Sequence, residues 1–104
     1  MNTDTNLNPA NFIKMKLMNI NPKFFTDLFY EVEETMLSMG RNDWIKFLDV
    51  SKVGNIDDIM YSLAAYYQSL GFDVKTKEVD NLRVINISVK YFIPVAQFEI
   101  TLIP

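Results

Sequence analysis

Hydrophobic periodicity changes along this chain at Gly71, and that change constrains the fold more than any other feature. Before it, Ile56, Ile59, Met60, Leu63, Ala64, Tyr67 and Leu70 recur at steps of three and four, the stripe of one helix face. After it, apolar residues alternate singly. Phe72 and Val74 fall in residues 72–79, Ile85, Ile87, Val89 and Tyr91 in 82–91, and Ala96, Phe98, Ile100 and Leu102 in 95–103. Helical signals that precede strand signals predict an α+β fold, with helices on one face of a mostly antiparallel, three- or four-stranded sheet.

Local signals place the elements. Asn55 is suited to cap the helix over 55–70, and Asp57 and Asp58 sit in its first turn, where the helix dipole favours acids. Asn21-Pro22 opens an earlier helix over 22–39, whose stripe is Phe25, Leu28, Phe29, Val32, Met36 and Met39, with Gly40 past its end. Asn42 or Asp43 caps a shorter helix over 43–50 holding Trp44, Phe47 and Leu48. Ile13, Met15 and Leu17 alternate with Lys14 and Lys16, which predicts a half-buried strand over 12–18, with a short helix as the alternative because Met, Lys and Leu are good helix formers. Asp80-Asn81 is a two-residue hairpin turn. The expected order is β-α-α-α-β-β-β, in one domain over 11–104 behind a flexible tail over 1–10.

Composition excludes several chemistries. The 104 residues contain no Cys and no His. Disulfides, Cys- or His-ligated zinc, and the Cys-His and Ser-His-Asp catalytic sets are therefore ruled out. Carboxylates remain. Asp27, Glu31 and Glu34 share one helix face, the oxygen chemistry of a hard-cation site, but they read more simply as a solvated face opposite the apolar stripe. Gly54 precedes a helix, yet the two aspartates that follow it repel a phosphate. The expectation is a protein that is not an enzyme, with no metal and no cofactor.

For nucleic acid, the order helix, short helix, turn, longer helix, hairpin resembles that of a winged helix, with Lys75, Lys77 and Arg83 on the wing. The would-be recognition helix 55–70 carries no Lys or Arg, and residues 24–62 hold an excess of acids, so the charge argues against nucleic-acid binding.

Two binding readings are left. Tyr61, Ala65 and Tyr66 lie off the main stripe of the third helix. The last strand carries one charge, Glu99, beside Gln97. If that strand is a sheet edge, these residues mark a protein–protein interface, most simply a homodimer. The alternative is a small apolar ligand held between helices and sheet by Phe29, Met36, Tyr67 and Phe98. The Asn- and Lys-rich, Arg-poor usage suits a microbial or viral source. The N-terminus shows no basic and apolar leader, and the apolar runs are too short to span a membrane, which together with the lack of Cys predicts a cytoplasmic protein.

Overall fold

A computed structural model describes residues 8–37, 43–89 and 96–104. The described elements are α1 (Pro9–Ile20), α2 (Pro22–Leu37), β1 (Asp43–Asp49), α3 (Ile56–Ser69), β2 (Asp73–Val79), β3 (Leu82–Val89) and β4 (Ala96–Ile103). The expected α+β class holds, as do the three helices and the four-stranded sheet. The sheet order is β1-β4-β3-β2. β2–β3 and β3–β4 are antiparallel and β1–β4 is parallel, so the sheet is mixed.

Two segments exchange type relative to the sequence reading. Residues 12–18 belong to α1, not to a strand. Asn8 caps α1 by accepting from the Ala10 N–H at 2.9 Å, and Pro9 occupies its first turn. Ala10 and Leu17 are buried, with Ile13 and Met18 packed beside them, which is a helical stripe. Met15 is 63% exposed, so the alternation of Ile13, Met15 and Leu17 marks no face. Met, Lys and Leu are also strong helix formers. The helix starts inside the segment expected to be a tail; residues 1–7 lie outside the described residues.

Residues 43–49 are strand β1, not a short helix. Trp44, Lys46 and Leu48 are half-buried, while Ile45 and Phe47 between them are exposed. Trp44 pairs with Phe98, Lys46 with Ile100 and Leu48 with Leu102. The partner strand lies at the far end of the sequence, so tertiary pairing decides what local spacing left open.

Other expectations stand. Asn21 accepts from the Phe24 N–H at 3.0 Å and Asn55 from the Asp58 N–H at 3.0 Å, so both cap as read. Asp80 adopts a φ of 57° in the β2–β3 turn. The helix end read at Met39 and Gly40, the cap at Asn42, Tyr91 and the connection at Pro94 lie outside the described residues.

The helices cover one face of the sheet. That face carries Val74, Ile85, Ile87, Val89, Ala96, Phe98, Ile100 and Leu102, all buried. α3 packs on β2, β3 and β4, and α1 packs on α3 and α2. Two ion pairs bridge the layers: Lys46 Nζ to Glu31 Oε1 at 3.1 Å, and Arg83 Nε to Asp57 Oδ1 at 2.6 Å. The opposite face carries Ile45, Phe47, Gln97, Glu99, Thr101, Val84, Lys75 and Lys77, and no described helix packs on it.

Candidate functional site

The C-terminal halves of α2 and α3 flank a cavity of about 230 Å³. Phe29, Val32 and Met36 face it from α2, at the i, i+3, i+7 spacing of one helix face. Tyr66, Tyr67 and Leu70 face it from α3, and Phe72 closes it at the entry to β2. Glu33 and Leu37 form the rim on α2. Leu37 is 80% exposed, so the rim is open on that side.

A helix terminus puts Phe72 there. The Gly71 N–H donates to the Gln68 carbonyl at 2.9 Å and the Phe72 N–H to the Tyr67 carbonyl at 3.2 Å. This is the paired bonding of a Schellman terminus, and it needs a left-handed residue at Gly71, whose φ is 96°. The reversal brings the Phe72 ring back to 6.4 Å from that of Tyr67. The rings continue as a wall: Tyr67 lies 4.9 Å from Tyr66, and Tyr66 4.8 Å from Phe29.

Polar character in this wall is sparse. Tyr67 is 3% exposed and its hydroxyl has no hydrogen-bond partner among the described residues. Burial, aided by the neighbouring Tyr66 and by Glu33, pushes its phenol well above the ordinary tyrosine range. Burial and then Glu33 push Tyr66 up as well. Both hydroxyls are therefore neutral at physiological pH and lie in the field of one carboxylate.

Three of the four residues expected to line a ligand pocket, Phe29, Met36 and Tyr67, come together here. Phe98 does not; it is fully buried under the sheet's helix-covered face, 6.2 Å from the Trp44 ring. Val32, Glu33, Leu37, Tyr66, Leu70 and Phe72 complete the lining and were not anticipated. The adjacency of Tyr66 to Tyr67 and of Phe72 to the Gly71 stop was the available signal.

The expected interface residues do not form one surface. Tyr61 is 61% exposed on α3, Ala65 is half-buried, and Tyr66 is buried against Phe29. Gln97 and Glu99 stand on the other face of the sheet. β4 is not an edge, because β1 pairs along its whole length.

The basic wing fails for the same geometric reason. Strand alternation puts Arg83 on the helix-covered face, where it bonds Asp57 and approaches Glu78 at 3.5 Å. Lys75 and Lys77 project from the other face, beside Val84, Asn86 and Glu99. With β1 in place of the short helix, no helix-turn-helix forms from residues 43–70.

The shared acidic face is also resolved into separate pairs. Asp27 meets Lys23 at 3.3 Å, Glu31 meets Lys46, and Glu34 accepts from the Tyr30 hydroxyl at 2.8 Å. Among the described residues no group of three or more acids is placed to hold a metal ion. No described helix is long and apolar enough to cross a membrane. Comparison with protein-family models, curated proteins and solved structures finds no match to this chain.

Proposed function

We propose that this chain is a non-catalytic binding domain whose site is the α2–α3 cavity, and whose ligand is a small, largely apolar molecule with one hydrogen-bonding group. The observation that carries the reading is the cavity itself, walled by the rings of Phe29, Tyr66, Tyr67 and Phe72, with the exposed Glu33 at its rim to take the polar end of a ligand. Ligand pockets of drug-like size run to about 300–1,000 Å³. A cavity of about 230 Å³ suits something smaller. The non-catalytic part rests on composition, with no His or Cys to act as base or nucleophile.

Titration with small alcohols, followed by amide NMR, tests the reading. Shifts should cluster at Val32, Glu33, Tyr66, Tyr67, Leu70 and Phe72, and Met36→Trp, which fills the space, should abolish them. Shifts scattered over the surface, or none at these residues, would sink it.

A second reading, self-association, is favoured by one observation. Ile45 and Phe47 are 60% and 63% exposed on β1, an edge strand without a described neighbour on its open side. An exposed apolar edge is a template for pairing. Light scattering should then give twice the 12.1 kDa chain mass, reverting to the monomer with Phe47→Asp. A monomer at micromolar concentration removes this reading.

A further inference from the structure

We propose that the α2–α3 cavity selects a small organic cation: an alkylammonium whose hydrocarbon body lies on the apolar wall while its ammonium group faces Glu33. The inference rests on the cavity being the binding site, and it names the ligand's charge.

Among the described residues the lining carries one charged side chain, Glu33, and no basic one. Four of its side chains are aromatic rings: Phe29, Tyr66, Tyr67 and Phe72. Aromatic faces carry negative potential, so they attract a cation placed within about 6 Å of the ring centre and repel an anion. Phe29 already takes a cation in this way, since Lys14 Nζ lies 5.6 Å from its ring centroid. Lys14 reaches that ring from α1 and is not among the described residues of the cavity lining.

The polar group at the rim fits the same ligand. The Glu33 carboxylate acts on both Tyr66 and Tyr67, so a cation between the carboxylate and the two phenols sits where that field is felt. Glu33 is itself exposed, so it is already solvated and contributes charge without a prior burial cost. The chain's net charge of −3 adds a weak attraction of the same sign. A carboxylate ligand would meet Glu33 and the ring faces with repulsion from both.

Three probes of equal chain length separate the possibilities: n-hexylammonium, n-hexanol and n-hexanoate, titrated at neutral pH and low salt with amide NMR as readout. Hexylammonium should bind about tenfold tighter than hexanol, the scale of a cation–π contact reinforced by one carboxylate. Hexanoate should bind weakest. Glu33→Gln should bring hexylammonium close to hexanol. Equal binding of hexylammonium and hexanol at the cavity, or a preference that survives Glu33→Gln, overturns the cation assignment and leaves the cavity as the site. Failure of all three probes to shift the cavity residues overturns both.

Discussion

Arg83 on β3 and Asp57 in the first turn of α3 meet at 2.6 Å, Nε to Oδ1, and so fasten the start of the helix to the sheet beneath it. The arginine side chain is 15% exposed and the aspartate 47%. The bond to Asp57 raises the arginine above its ordinary value, against the opposing effect of burial. From the arginine side the contribution is present throughout the ordinary pH range and is lost only in strong alkali. Arg83→Ala should lower the thermal midpoint clearly. Lys23→Ala breaks the solvent-exposed Lys23–Asp27 pair and should change it little, because such pairs contribute little. Differential scanning calorimetry of both variants checks the order.

Tyr67→Phe should stabilise the unliganded protein by about 1 kcal/mol, since it deletes a buried hydroxyl with no described partner. Its pH dependence has a defined sign. The folded state holds the proton on Tyr67, while the unfolded chain loses it near the ordinary value of 10.0. The stabilising contribution is complete below that value and falls as pH rises above it, by up to about 1.4 kcal/mol per pH unit. Urea melts in alkaline buffer should show a shallower decline in Tyr67→Phe than in the parent.

Gly71→Ala should cost about 1–2 kcal/mol through the backbone alone. The φ of 96° disfavours any L side chain, and nothing lies within 4 Å of where a Cβ would stand. Asp80→Gly should act in the opposite direction, raising stability by about 0.5 kcal/mol, because Asp80 holds a φ of 57° in the hairpin turn. Chemical denaturation of the two single variants gives both values.

Asn55→Ala should cost about 1 kcal/mol, since the Asn55 Oδ1 accepts from the Asp58 N–H at the start of α3. Asn55→Asp keeps the acceptor and should leave stability nearly unchanged. Equal losses in the two variants would show that the cap contributes nothing.

Much of the fold was legible because its signals are local. Asn21-Pro22, Asn55, Gly71 and Asp80-Asn81 act through their own or adjacent backbone, and each performs the role its chemistry suggests. The two misread segments depend on distant partners. Residues 12–18 carry both a two-residue and a four-residue pattern, and only packing of Ala10, Ile13, Leu17 and Met18 on the core selects the helix. Residues 43–49 become a strand because β4 offers a parallel partner. The cavity was partly legible for the same reason. Phe29, Met36 and Tyr67 sit on readable stripes, whereas Glu33 and Phe72 reach the site through the angle between α2 and α3 and the reversal at Gly71.

The central place of β4 has a kinetic consequence. Asp43 pairs with Gln97 and Asp49 with Ile103, so β1 finds its neighbour only after α3 and the β2–β3 hairpin have been threaded between them. Contacts of such long sequence separation form late, because closing the loop costs entropy before any pairing is gained. A growing chain therefore exposes Ile45 and Phe47 on an unpaired strand throughout synthesis of the hairpin. Cutting the chain before Ala96 would strand β1 and β3 together, converting one finished sheet into two sticky edges.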